Sequence, residues 1–333
     1  MAHTVDAAAF RAALAAANMA AFWEEEDRGV HGGGPEQATV WQWAQMEPLV
    51  SQAVLATTIE NADRRVLSLR KPASNSPAAA LTSNLVAALQ ILMPGEVAPP
   101  HRHTMGALRF VMEGEGAETL VDGKSCVMEP GDMILTPGWT WHEHVHKGKT
   151  RMVWFDGLDV PIHRHLGTIR FQPGPAKDLP PQMPDAAYAA AGLVPQGAPA
   201  RSYSPLYRYP WATAKAALAH APQAKDGSRT LRYTNPTTGG AAMDLIDCFL
   251  VGLAPARPTA ETRSSSSAVC VVAEGSGSST VGDRTFAWTK NSIFTIPQGN
   301  WTSHRSDEGA TLFLMTDRDL MQRVGLLRDE VRA

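Results

Sequence analysis

From about Leu81 to Arg151 short apolar and β-branched runs are punctuated by Pro94-Gly95, Gly114-Glu115-Gly116, Asp122-Gly123, Pro130-Gly131 and Pro137-Gly138. That spacing predicts an antiparallel barrel or sandwich. From about Ala242 to Met315 the pattern returns. Gly275-Ser276-Gly277 answers Gly114-Glu115-Gly116 at an offset of 161, and Pro297 and Trp301 answer Pro137 and Trp141 at 160. Two copies of one barrel follow, the second short of one residue in an intervening hairpin. Residues 6 to 26 carry Phe10, Leu14, Ala17, Ala21 and Phe22 at helical spacing, with Asp6 placed to cap the start and Gly29 past the end. Residues 173 to 205 hold eight of the 24 prolines and predict a surface connector. A short Ala-rich helix follows over Ala212 to Ala221, and Leu320, Val324, Leu326 and Leu327 predict a docking helix at the end of the chain. The expected organisation is an N-terminal helical and extended segment (1–80), a metal-binding barrel (81–165), a Pro-rich and helical connector (166–240), a second barrel without metal ligands (241–316) and a C-terminal helix (317–333).

Composition narrows the partners. The 333 residues include 30 Lys+Arg and 33 Asp+Glu, a net charge of −3, with 44% hydrophobic and 19% charged residues. A folded chain with a sizeable core is expected, and without a basic stripe nucleic acid is not an expected partner. No apolar run approaches the ~18 residues that span a bilayer, and no basic segment precedes a cleavable apolar one, so no membrane partner and a cytoplasmic location are expected. Cys126, Cys248 and Cys270 are far apart, lack C-x-x-C spacing and read as buried apolar fillers.

The histidines carry the chemistry, since seven of eleven fall between His101 and His165. Gly95 is followed after five residues by His101-Arg102-His103, and Gly131 after five residues by Pro137-Gly138-Trp139-Thr140-Trp141-His142. This is the cupin pattern. Residues two apart on a strand share a face, so His101 and His103 aim into the barrel together and His142 on a facing strand supplies a third imidazole. Unpartnered imidazoles in a barrel interior are costly, which favours a metal. The second copy holds Thr262, Ser264 and Thr302 at the matching positions, so one barrel binds metal and the other is structural. Where the usual pattern places a carboxylate ligand, four residues after the second histidine, this chain has Ala107. An ion held by three neutral ligands keeps its double charge and leaves up to three positions open, which suits an anionic bidentate substrate plus O2. Zinc hydrolysis stays open on ligands alone.

The sequence resembles the gentisate 1,2-dioxygenase family, bicupin enzymes that include salicylate and 1-hydroxy-2-naphthoate dioxygenases. The likeness rests on residues 95–104 (GEVAPPHRHT), 107–110 (ALRF), 136–144 (TPGWTWHEH), 64–67 (RRVL), 233–240 (YTNPTTGG) and 316–318 (TDR). The resemblance implies an all-β bicupin with one Fe(II) per subunit, O2 as co-substrate and partners limited to a small aromatic hydroxy acid and further copies of the chain as a homotetramer. The reaction it implies splits the bond between the carboxyl-bearing and hydroxyl-bearing carbons of a 2-hydroxybenzoate. Its metal ligands fall on His101, His103 and His142, its active-site arginines on Arg65 and Arg109, its substrate-lining glutamine on Gln90, its supporting histidine on His144 and the aspartate behind that histidine on Asp156.

Several of these roles have a physical argument of their own. Arg109 lies six residues after His103, an even separation that suits the same face, where its guanidinium can pair with a substrate carboxylate. His144 shares the face of His142 and can move a phenolic proton if its tautomer is fixed. Gln90 sits in an apolar run, where an amide needs a partner. Whether Arg64 or Arg65 faces inward stays open, and His146, His163 and His165 stay unassigned. Trp139, Trp141 and Trp154 are expected to wall the pocket or the core. Met105-Gly106 replaces a Gln-Ser pair of many relatives, and Ala88 a glycine of some, so Met105 and Ala88 are candidate substrate contacts and a 5-nitro- or 5-halosalicylate joins gentisate as a candidate substrate. The competing readings are another three-histidine cupin oxidase or isomerase acting on a small acid, and a non-catalytic bicupin that binds a small anion or carbohydrate.

Overall fold

The computed structural model describes residues 6–17, 19, 36–72, 80–190, 192–198 and 201–332. Helix α1 (Ala7–Ala16) is capped by Asp6, whose Oδ1 accepts the Ala8 amide at 2.9 Å. Of the helix expected over 6–26, the part from 20 onward lies outside the described residues.

From Glu36 on, the chain forms two barrels that repeat one plan. It runs β1 (Val40–Trp41), α2 (Trp43–Ala56), α3 (Ile59–Ala62), β2 (Arg65–Ser68), β3 (Val86–Leu92), β4 (Val97–His103), β5 (Ala107–Glu113), β6 (Ala117–Val121), β7 (Lys124–Met128), β8 (Met133–Thr136), β9 (His142–His146), β10 (Met152–Leu158), α4 (Val160–His165) and β11 (Phe171–Pro173). It continues through β12 (Arg208–Tyr209), α5 (Trp211–His220), β13 (Arg229–Arg232), β14 (Asp247–Leu253), β15 (Thr262–Ser264), β16 (Ala268–Glu274), β17 (Ser276–Val281), β18 (Arg284–Thr289), β19 (Ile293–Ile296), β20 (Thr302–Arg305), β21 (Ala310–Thr316), α6 (Arg318–Arg323) and β22 (Asp329–Val331).

In the first barrel the sheet β12-β8-β5-β10-β3-β2 faces β11-β4-β9-β6-β7. Val111, Ile134 and Trp154 of one sheet pack with Ala117, Val121 and Met128 of the other. In the second, β1-β19-β16-β21-β14-β13 faces β18-β17-β20-β15-β22 around Cys270, Phe294, Leu312, Phe286 and Trp288. The two six-stranded sheets lie back to back, with Phe110 stacked on Phe313 at 4.3 Å between ring centroids. Their strands are therefore apolar on both faces, which explains the nearly unbroken apolar runs of β3, β10, β16 and β21. The repeat extends to backbone strain. Gly114 and Gly275 have φ of +86° and +85°, and a Cβ at either would meet a carbonyl oxygen at 2.2 and 2.6 Å.

Strands from outside the two spans of regular β pattern join both barrels. Edge strand β1 pairs with β19 of the second barrel, while β2 pairs with β3 of the first. From the Pro-rich connector, β11 pairs with β4, β12 with β8 and β13 with β14. The terminal helix is shorter than expected over 317–333. It stops at Arg323, Gly325 follows with φ +74°, and the chain turns into β22, which pairs with β15. Val324 and Leu326, counted in the sequence as docking residues, remain exposed.

Candidate metal centre and its surroundings

Strands β4 and β9 pair with His101 opposite His142, and His103 follows two residues on, so three buried imidazoles meet inside the first barrel. Their available ring nitrogens lie within 4.8 Å of one another. Backbone carbonyls fix the rings: His101 Nδ1 is 3.0 Å from the Pro99 oxygen, His103 Nδ1 2.8 Å from that of Met105, and His142 Nδ1 3.0 Å from that of Thr140. A carbonyl can only accept, so each Nδ1 carries the proton and each Nε2 presents a lone pair. This is how proteins orient histidine ligands for a metal. His142 Nε2 is buried without a partner, a loss that a metal would repair. Burial pushes the His101 and His103 pKa down to about 3 and about 4 and that of His142 well below its ordinary value, keeping the rings neutral as ligation requires. Three nitrogen donors with no carboxylate fit a divalent transition ion.

The opposite wall comes from β3, β5 and β10. Their registers align Ala88, Asp156 and Arg109 in one row and Gln90, Trp154 and Val111 in the next, and both rows face the barrel interior. Arg109 is buried, donates from Nη1 to Thr136 Oγ1 at 2.7 Å, and holds Nε 3.3 Å from Asp156 Oδ1. That last contact is within ion-pair reach but is not aligned as a hydrogen bond. Burial raises the Asp156 pKa to about 6 against the opposing pull of Arg109. Gln90 Nε2 and His144 Nε2 are both buried without protein partners. Gln90 comes from this wall and His144 from the facing sheet, on β9 beside His142, and two uncommitted buried polar atoms on opposite sides of one barrel interior mark a ligand site.

Two expectations need correction. Asp156 does not support His144: its Oδ1 accepts from Trp154 Nε1 at 3.1 Å and faces Arg109. The partner of His144 Nδ1 is Thr119 Oγ1 at 2.8 Å, brought there because β6 pairs with β9 with Thr119 opposite His144. Arg65 is not in the pocket. Its guanidinium, 3% exposed, bonds the Glu96 carboxylate at 2.8 and 2.9 Å and the Thr57 carbonyl at 3.0 and 3.1 Å. Val66 stands opposite Gln90, so alternation gives Arg64 the interior side and Arg65 the other. Arg64 lies 5.7 Å over the Phe171 ring, which itself stacks on His101 at 5.5 Å, and its charge acts on His101, His103, His144 and Asp156. The second barrel, without imidazoles at the three ligand positions, holds one elsewhere. His304 stands at the place of His144, with Ser279 2.7 Å from its Nδ1 as Thr119 is from that of His144.

The remaining candidates are placed as follows. Ala88 is buried beside Gln90, while Met105 is half-buried and holds His103 through its carbonyl. Trp139 and Trp141 flank Arg102 at 4.5 and 4.6 Å, and Trp154 belongs to the barrel core. His146 is buried against the Thr150 carbonyl at 2.6 Å, His163 bonds Thr168, and His165 is exposed. The three cysteines are free and buried. No described helix is long and apolar enough to cross a membrane.

Residues 88–161 match the model of the cupin domain family. Gentisate 1,2-dioxygenase 1 of Aquipseudomonas alcaligenes is 34% identical over 299 residues, 87% of this chain and 86% of the relative. The 5-aminosalicylate 1,2-dioxygenase of Comamonas sp. is 34% identical over 306 residues, covering 88% and 81%. The crystal structure of a salicylate 1,2-dioxygenase from Pseudaminobacter salicylatoxidans matches 99% of both chains with a TM-score of 0.91 and 28% identity. With these likenesses spanning nearly the whole chain, and with a three-histidine metal centre in the first of its two barrels, the protein belongs to the gentisate and salicylate 1,2-dioxygenase family of ring-cleaving bicupins.

Proposed function

We propose that the protein holds one Fe(II) per subunit on His101, His103 and His142 and uses O2 to open a 2-hydroxybenzoate, gentisate or another 5-substituted salicylate, between the carboxyl-bearing and hydroxyl-bearing carbons. The observation that carries this reading is the set of three Nε2 atoms freed toward one point by carbonyls on each Nδ1, with His144 beside them on β9 and a facing wall that offers Arg109 and Gln90. When bound there, ferrous iron would supply Lewis acidity and a redox partner for O2.

The chain's own residues bind and orient the acid. Arg109, held by Thr136 and balanced by Asp156, presents a buried cation to the carboxylate, and Arg64 adds a second positive charge from the mouth. Asp156 acts as a positioning residue for Arg109. His144, with its ring set by Thr119, offers Nε2 to the phenolic proton. Gln90 Nε2 supplies a donor to the bound ring's substituents, while Ala88 and Met105 bound the space around them. Arg65 keeps a structural role only. The relatives named above act on gentisate and 5-aminosalicylate, and the thioether of Met105 favours a less polar 5-substituent, nitro or halo, beside them. A cytoplasmic homotetramer is part of the same proposal and is checked by fractionation and light scattering.

The deciding experiment supplies Fe(II)-loaded protein with gentisate, salicylate, 5-aminosalicylate, 5-nitrosalicylate, 5-chlorosalicylate and 1-hydroxy-2-naphthoate while recording O2 uptake and aromatic absorbance. Equimolar O2 consumption and loss of ring absorbance with at least one acid is the expected result. Substrate oxidation or isomerisation with the ring intact, or binding without turnover, overturns it.

A further inference from the structure

We propose that the second barrel carries a binding site of its own, for a small uncharged hydroxyaromatic compound of the phenol class, in the cavity that takes the place of the metal centre of the first. That cavity measures about 460 Å3 and is lined on one side by Ser264, Thr302 and His304 and on the other by Phe249, Val251 and Leu314. It lies in the size range of pockets that enclose single-ring ligands. Its walls follow from the repeat. Phe249 pairs with Leu314 where Ala88 pairs with Asp156 in the first barrel, and Val251 stands for Gln90. The hydroxyls of Ser264 and Thr302 stand for His103 and His142. One wall has thus become apolar while the other keeps donors and acceptors.

Phe249, Val251 and Leu314 point into a barrel interior yet stay only partly buried, whereas Ala88, Gln90 and Asp156 are all buried in the first copy. Apolar side chains facing an interior void lose dispersion contacts that a flat ring would restore. Opposite them, Trp288 Nε1 donates to Ser279 Oγ at 2.8 Å, and that oxygen lies 2.7 Å from His304 Nδ1. The serine fixes the imidazole, leaving Nε2 as the ring nitrogen for a ligand hydroxyl. Burial lowers the His304 pKa to about 4, so it is a neutral partner. Charge argues against an ionic ligand. The rim arginines are engaged by carboxylates of β22, Arg318 with Asp329 at 2.8 Å and Arg263 with Glu330 at 2.7 Å. Neither an acid nor a cation finds an uncommitted counter-charge there.

The test is a 19F NMR titration of 4-fluorophenol into the full-length, metal-loaded protein, repeated with H304F, V251W and H142A. A single saturable site per subunit is expected, displaced by phenol and kept in H142A. H304F, which removes the hydrogen-bonding nitrogen, and V251W, which fills the cavity, should each weaken binding by at least about tenfold. Thermal unfolding identifies a variant that fails to fold, and H304F and V251W serve independently. Absence of saturable binding to the parent protein, unchanged affinity in a folded H304F or V251W, or loss of binding in H142A overturns the proposal.

Discussion

Arg64 and Arg65 are neighbours that predict opposite phenotypes when each is changed to glutamine. Arg65 is 3% exposed and makes two bonds to Glu96 and two to the Thr57 carbonyl. R65Q leaves a carboxylate that is only 19% exposed and a backbone acceptor without their cation. Removing one partner of a fully buried pair costs about 3–5 kcal/mol, and partial access of Glu96 to water lowers the expectation to about 2–3 kcal/mol. The Glu96 carboxyl is held below its usual range mainly by Arg65, so the stability this pair contributes is complete above the unfolded carboxyl pKa and is lost as pH falls through the depressed folded value. Arg64 has a pairing with Asp63 at 3.3 Å, and that aspartate is 60% exposed, so R64Q costs under about 1 kcal/mol of stability. Its loss is felt by the substrate carboxylate, where a charge-assisted contact contributes about 1.5–3 kcal/mol, or about 10–150-fold in kcat/KM. Urea unfolding and steady-state O2 uptake on both variants separate the effects. A kinetically normal R64Q beside an R65Q that loses kcat/KM at an unchanged urea midpoint would refute the assignment of the inward arginine.

H142A is expected to lose bound metal and turnover together, read by elemental analysis after gel filtration. T119V should keep its metal yet lose about tenfold in kcat with a shifted pH profile, because His144 loses the hydroxyl that sets its ring; T119S should restore both. D156N should instead raise KM for the acid, since it disturbs Arg109 and not His144. D159N tests a buried acid whose pKa is raised to about 7 mainly by burial, opposed by the Gly106 amide at 3.0 Å. The folded state holds this proton where the unfolded chain has released it, so parent stability falls as pH rises from about 4 to 7, and D159N should flatten that slope in urea titrations.

Period-two logic made much of the centre readable in the sequence. Gly-bounded short runs gave the barrels, and His101 and His103 share a face by spacing; the even separation of Arg109 from His103 did not place it, because the strand ends at His103 and Arg109 comes from β5 in the facing sheet. What escaped depends on long-range register. The resemblance put Asp156 behind His144, but the hydroxyl that reaches it comes from β6, whose pairing with β9 has no local signal. The repeat did hold one: Thr119 and His144 recur as Ser279 and His304 at an offset of 160. The Arg64 and Arg65 choice turned on how β2, an edge strand of four residues, meets β3. The terminal helix was overestimated because apolar spacing over Leu320 to Leu327 ignored Gly325, whose left-handed conformation ends it.

The stack of Phe110 on Phe313 means that the strands presenting Arg109, Asp156 and Gln90 have their reverse sides in a shared dry seam. Severing the chain between its halves would lay Leu89, Phe110 and Phe155 open to water, so the half with the three histidines is not separable from the other. The other half is the backing plate against which the first keeps its shape, so a cavity opened at Phe313 or Met315 is felt behind the wall that presents Arg109.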